Sequence, residues 1–244
     1  MTLPFFWYGG LRAAAPGDRL QVAGDEARHA HVKRLRAGEQ VVLTDGAGTS
    51  ATVSVVAVEK ASMTVSVQEV RTSEPELPRV VVVQAIPKGD RGELAVEMLT
   101  EVGVDVIVPW AASRSVAVWR GDKAARAQAR WRTTAREAAK QARRTWFPEV
   151  ADMVDTSQVA ALLQGASVPV VLHEAASGPI ADLPVPGRGE IVVVVGPEGG
   201  ISDEELTQFS AVGAEPVRLG TSVLRTSTAG VAATAALLAR TRWR

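Results

Sequence analysis

Ile191-Val192-Val193-Val194-Val195-Gly196-Pro197-Glu198-Gly199-Gly200-Ile201 is the stretch that decides the fold. Five β-branched residues with no polar break are the pattern of a strand buried on both faces, as in a sheet covered by helices on either side. The glycine-rich loop follows at the strand's carboxyl end. Ser202-Asp203-Glu204-Glu205 then fits a capping box that opens a helix through Leu206 and Phe209. Ligands of open α/β sheets bind at such strand ends, and glycine lets a ligand approach the main chain. The loop is neither a dinucleotide fingerprint nor a phosphate loop: Pro197 breaks G-x-G-x-x-G, and no Gly-Lys-Ser/Thr follows. On composition alone a simple tight turn is favoured over a ligand loop.

Outward from this stretch, similar apolar runs recur at Val80–Val83, Val104–Val108 and Val168–Leu172, with helical stretches between them. Strand and helix in alternation predict an α/β domain built on a mostly parallel sheet. Asp90-Arg91-Gly92-Glu93 fits a second capping box, with Leu94, Met98 and Val102 on one helical face. Before residue 73 the grammar differs. Val41–Leu43, Thr52–Val58 and Met63–Val67 are strand-like runs separated by turns, and residues 25–36 form a short helical stretch. The expected organisation is a small β-rich domain over residues 1–72, a polar linker with two prolines over 73–79, and an α/β domain over 80–244.

The chain of 244 residues has 46% apolar residues, enough for a core, and no cysteine, which excludes disulfides, thiolate metal sites and a cysteine nucleophile. His29 and His31 stand two apart without a third ligand nearby, so no metal is expected. No apolar run is long enough to span a bilayer. The opening Met1–Tyr8 lacks the basic flank and apolar core of a signal peptide. A cytoplasmic protein with no membrane partner is expected. Lys and Arg balance Asp and Glu at 27 each, yet residues 113–148 hold ten cations against two acids, a local net charge of +8. Ala124, Ala127, Trp131, Ala135, Ala138 and Ala142 make one apolar stripe of a helix starting near Asp122. Arg132, Arg136, Lys140 and Arg143 fall largely opposite it. That side reads either as a solvated helix face or as a surface for a polyanion such as RNA.

A second loop, Leu219-Gly220-Thr221-Ser222-Val223-Leu224-Arg225-Thr226-Ser227-Thr228-Ala229, leads from a short strand into an alanine-rich helix that runs to about Arg240. So apolar a helix packs inside the domain or forms a subunit interface.

Together these pieces resemble the RsmE family, SPOUT-class methyltransferases that act on the N3 position of a uridine in 16S ribosomal RNA of the small subunit. His31–Glu39 is loosely similar to its H-x-x-x-V-L-R-x-x-x-G-D element, and Gln84–Arg91 to its Q-A-L-P-K-x-x-R loop. Thr100–Gly103 resembles T-E-L-G, Ser113–Ser115 resembles S-x-R-S, and Arg136–Gln141 resembles an E-A-x-x-Q helix. Gly196–Ile201 and Leu219–Ala229 resemble the paired G-P-E-G-G and L-G-x-x-I-L-R-x-E-T-A signatures. Ser227 and Lys140 stand where the family usually has Glu.

The resemblance implies a PUA-like RNA-binding β-barrel followed by a SPOUT domain tied in a trefoil knot, a homodimer, and S-adenosylmethionine as cofactor. The implied cofactor pocket is formed by Leu172, by Gly196, Pro197, Glu198, Gly199, Gly200 and Ile201, and by Leu219, Gly220, Leu224, Arg225, Thr226, Thr228 and Ala229. Arg225 is the expected stabiliser of charge developing on the uracil. Glu198 either accepts the proton, fixes the loop or binds cofactor hydroxyls. Lys88, Arg91 and Arg114 would line the pocket mouth, with Arg130, Arg132, Arg136, Lys140 and Arg143 guiding the RNA. The other readings are a SPOUT enzyme acting on a ribose hydroxyl or another base, and a ribosome-assembly protein without catalysis.

Overall fold

A computed structural model describes residues 3–244, so Met1 and Thr2 lie outside the described residues. The chain divides into two compact units. One runs to Pro75 and includes Ala139–Phe147; the other holds Glu76–Ala138 and Pro148–Arg244.

In the first unit, β1 (Phe5–Trp7), β2 (Arg19–Ala23), β3 (Gln40–Thr44), β4 (Thr49–Val58) and β5 (Ser62–Thr72) form one sheet in the order β1-β3-β4-β5-β2. Helix α1 (Gly24–Val32) follows β2. The alternation of β4 and β5 explains the core. Ala51, Val53 and Val55, with Met63, Val65 and Val67, point inward onto Phe6, Leu11 and Leu43. Two register shifts, at Thr52/Val53 and Val55/Ala57, interrupt the β4–β5 ladder.

The segment 139–147 completes this unit from far along the chain. Gly48 N donates to Thr145 O and Phe147 N to Gly46 O, both at 2.9 Å. Gly46 and Gly48 take φ of +71° and +94°, and a Cβ on either would fall within 2.7 Å of the Phe147 or Trp146 ring. Only glycine supplies both the backbone conformation and the space.

The second unit is a seven-stranded sheet in which every recorded pair is parallel. Its strands are β6 (Arg79–Ala85), β7 (Val106–Trp110), β8 (Glu149–Val150), β9 (Val168–Leu172), β10 (Gly178–Pro179), β11 (Glu190–Val195) and β12 (Glu215–Arg218), ordered β10-β12-β9-β11-β6-β7-β8. Its helices are α2 (Arg91–Val102), α3 (Gly121–Gln141), α4 (Thr156–Gly165), α5 (Asp203–Ala211) and α6 (Thr226–Leu238), though the end of α3 belongs to the first unit. The uninterrupted valine runs are buried on both faces because helices cover both. Val80, Val82, Ile191 and Val193 join Leu99, Trp131 and Leu237 on one side. Val81, Val83, Val192 and Val194 join Val159, Leu163 and Phe209 on the other.

Three local expectations are corrected. Asp90 makes no side-chain cap to α2; Glu93 instead pairs with Arg130 at 3.1 Å. Helix α2 buries Gly92, Ala95, Val96 and Leu99, while Leu94 of the expected face is 45% exposed. The small residues win because Trp131 lies against Gly92, where a Cβ would be 2.8 Å from its indole nitrogen. The short strand expected at Leu219 ends at Arg218, one residue earlier.

Candidate active site

The carboxyl ends of β9, β11 and β12 open onto one cavity of about 290 Å³. Leu172, Val195, Ile201, Val217, Leu219 and Ala229 give it apolar walls. Arg91, His173, Glu174, Glu198, Arg218, Arg225 and Thr226 add polar ones. The two loops singled out in the sequence meet here. The Thr226 hydroxyl, in the first turn of α6, donates to Gly196 O at 2.8 Å. From β6, Gln84 Nε2 donates to Thr226 O at 3.4 Å. One turn further on, a Cβ at Gly230 would lie 3.1 Å from Leu99 and 3.2 Å from Val195, so glycine lets α6 approach the sheet.

The glycine loop is both a turn and a cavity wall. Gly200 N donates to Pro197 O at 3.0 Å, and Gly200 takes φ of +74°. A Cβ at Gly196 would sit 2.7 Å from Ile201 Cγ1, so the loop closes on itself only with glycine there. The capping box that follows is complete: Ser202 Oγ accepts from Glu205 N, and the Glu205 carboxylate accepts from Ser202 N.

Leu172, Gly196, Pro197, Glu198, Gly200, Ile201, Leu219, Gly220, Leu224, Arg225, Thr226 and Ala229 all line the cavity. Gly199 and Thr228 do not. Gly199 packs on the chain at Arg114, where its Cβ would be 3.0 Å from the Arg114 carbonyl oxygen. The Thr228 hydroxyl turns back to Arg225 O at 3.1 Å. Sequence reasoning assigned no cofactor role to His173 or Glu174, which follow β9 and also line the cavity; their place after a buried strand was the available signal. His173 Nδ1 accepts from Ala175 N at 3.2 Å.

Glu198 Oε1 accepts from Lys88 N at 3.2 Å, with the Arg91 guanidinium 3.8 Å away. It therefore fastens the loop before α2 to the glycine loop. Arg225 is the N-cap residue of α6 and is exposed, and no ion pair holds it among the described residues. Arg114 Nη1 donates to Ile201 O at 3.4 Å. Its charge, after the backbone N–H of Glu204 itself and the Ser202 hydroxyl, helps hold the Glu204 carboxyl below the ordinary range.

The cationic helix differs from the expectation. Lys140 is 4% exposed and bonded to Glu26 at 2.5 Å, so it leaves the solvent-facing surface. Arg130 faces Glu93, Arg136 lies 3.9 Å from Glu137, and Arg132 faces Asp152 at 3.0 Å. Gln128 and then Arg132 hold the Asp152 carboxyl below its usual range. Arg143 is exposed at the turn after α3, with φ of +56°. Counting charges within 113–148 missed acids supplied from residues 26, 93 and 152. Among the described residues no three metal-ligating side chains come together.

A family model for an RNA methyltransferase domain matches residues 74–238, and one for an RNA methyltransferase PUA domain matches residues 22–68. A ribosomal RNA small subunit methyltransferase E of Mycobacterium tuberculosis is 42% identical over 91% of this chain and 87% of its own length. Its Bacillus subtilis namesake is 30% identical over 89% of each. A crystal structure of the Neisseria gonorrhoeae ribosomal RNA small subunit methyltransferase E bound to S-adenosyl methionine superposes with a TM-score of 0.88, at 28% identity over 98% of both chains. The RNA methyltransferase domain and the PUA unit before it are thus matched along nearly the whole length, and the chain belongs to the ribosomal RNA small subunit methyltransferase E family.

Proposed function

We propose that this protein methylates the N3 position of a uridine in 16S ribosomal RNA, using S-adenosylmethionine. One observation carries the reading: the Thr226–Gly196 hydrogen bond joins the two loops into a single cavity at the strand ends. Its lining suits the cofactor. Apolar walls at Leu172, Ile201, Leu219 and Ala229 suit the adenine, while Glu174, Glu198 and Arg91 offer both charge signs to an amino acid moiety. When bound, S-adenosylmethionine supplies a methyl group already made electrophilic by its sulfonium.

The chain's own residues have two tasks. They orient the uracil nitrogen toward the cavity, and they stabilise the imide anion left when its proton departs. Arg225 serves the second task. Its guanidinium is exposed at the cavity, and the positive end of the α6 dipole adds to it. Glu198 fixes the loop, its Oε1 being occupied by the Lys88 amide. The proton then passes to solvent or to a ribosomal group. Lys88, Arg91 and Arg114 stand where the RNA backbone would enter, and the target base is turned out of its stack. A SPOUT-type trefoil knot in the sheet domain and a homodimer complete the proposal. The exposed Val116, Val118, Val223 and Leu224 are apolar surface that a second copy would cover, and light scattering measures that state.

Mass spectrometry of small-subunit RNA nucleosides from cells with and without this protein tests the reaction. N3-methyluridine should vanish without the protein and return with the wild-type chain. With Arg225→Ala it should return only in small part, while the cofactor Kd stays close to wild type. Unchanged N3-methyluridine in the deleted strain removes the assignment.

A further inference from the structure

Glu205 lies outside the cavity and is 4% exposed, yet its carboxylate fastens two segments that border it. Oε2 accepts from Ser202 N at 2.9 Å, closing the capping box of α5. Oε1 accepts from Ser113 N at 2.8 Å and from the Thr156 hydroxyl at 3.2 Å. Trp110 Nε1 donates to that same hydroxyl at 3.3 Å, which anchors the network at the end of β7. A helix cap needs only the bond to Ser202. The bond to Ser113 reaches across 92 residues of chain.

The next residue after Ser113 is Arg114. Its carbonyl oxygen lies 3.0 Å from where a Cβ of Gly199 would be, and its guanidinium reaches Ile201 O. The 111–115 segment is therefore pressed onto the glycine loop, and Ser113 N is the main-chain donor that ties it to Glu205. Glu is suited to this post because both of its oxygens face main-chain N–H donors. An amide has one acceptor oxygen and would turn its NH₂ toward a donor.

We propose that Glu205 is a positioning residue for methyl transfer: through Ser113 it holds Arg114 at the cavity rim, where the guanidinium meets a phosphate of the incoming RNA. Arg114 does not line the cavity, so its charge acts on the polynucleotide and not on the cofactor. A planar fork is the side chain fitted to a phosphate. The inference rests on the methyltransferase reading above.

The test uses the full chain, tritiated S-adenosylmethionine and isolated small ribosomal subunits that lack the modification. E205Q and R114A should each raise the KM for subunits by about tenfold, with kcat and the calorimetric cofactor Kd within about threefold of wild type. The double variant should be no worse than R114A, because nothing remains to be positioned. S202A, which removes the cap but leaves the Ser113 bond, should lower Tm without moving that KM. Multiplying penalties, or an E205Q whose only change is in Tm or cofactor affinity, overturn the proposal. If E205Q does not fold, T156V, which removes one hydrogen bond from the same oxygen, should raise the KM by about twofold, an effect absent in an R114A background; additivity there overturns it equally. A wild-type chain that methylates no subunit defeats both readings, whereas an active wild type with an additive cycle defeats only the role of Glu205.

Discussion

Glu198 illustrates how a single carboxylate is assigned. It lines the cavity, but the Lys88 amide occupies Oε1 and Arg91 lies 3.8 Å off. Glu198→Gln keeps an acceptor for Lys88 N and loses the charge, so it separates loop fixing from base catalysis. Steady-state kinetics should find kcat within about fivefold of wild type and an unchanged pH–rate profile. A general base would cost about 10²–10⁴ in rate and remove a limb of that profile. The sequence could place Glu198 at the site, since the loop follows a buried strand. It could not say which oxygen was taken, because Lys88 lies 110 residues away. Gly199 had the same limit: glycine announced a close approach, and only the fold shows that the approaching chain is Arg114.

At the scale of elements, helix α3 was legible by half. Ala127, Trp131, Ala135 and Ala138 are buried as their spacing requires. Lys140 was assigned to the cationic face, yet it is buried against Glu26, whose other oxygen accepts from Trp7 N at 3.2 Å. No helical periodicity reports a partner 114 residues distant. Removing one member of a buried pair strands the other. Lys140→Met should therefore cost about 3–5 kcal/mol in urea unfolding, and adding Glu26→Met should recover most of it. A single variant as stable as wild type would show that the pair carries no stability. Capping signals also divide. Ser202–Glu205 and Asp155–Gln158 both form complete boxes. The second was equally readable, as an acid three residues before Gln that opens the apolar run Val159–Leu163. Asp90–Glu93 had the pattern and lost Glu93 to Arg130.

For the whole molecule, the valine runs at β6, β9 and β11 were enough to give a helix-covered parallel sheet, because continuous β-branched burial has few other solutions. The strand order was not readable: β6 lies between β11 and β7, and β10 and β8, two residues each, form the edges. Charge was legible as a local excess but not as a field, since Glu93 and Asp152 face two of the helix cations. Binding of small-subunit RNA measured against salt should reflect this. Replacing Arg132, Arg136 and Arg143 together by Ala should flatten the logarithmic slope by less than three contacts' worth, at about 0.7 per contact. A slope reduced by the full amount would mean that the acids yield these cations to RNA.

The strap 139–147 has a consequence for synthesis. The sheet it completes leaves the ribosome first, yet Trp146, Phe147 and Lys140 emerge only after residues 76–138 have been added. At about 5–20 residues per second, the nascent module waits roughly 3–13 s with Glu26 lacking its lysine partner and the Gly46–Gly48 hairpin tip bare. An arrested chain ending near residue 100 should be cut by protease at that tip, and one released past residue 147 should resist.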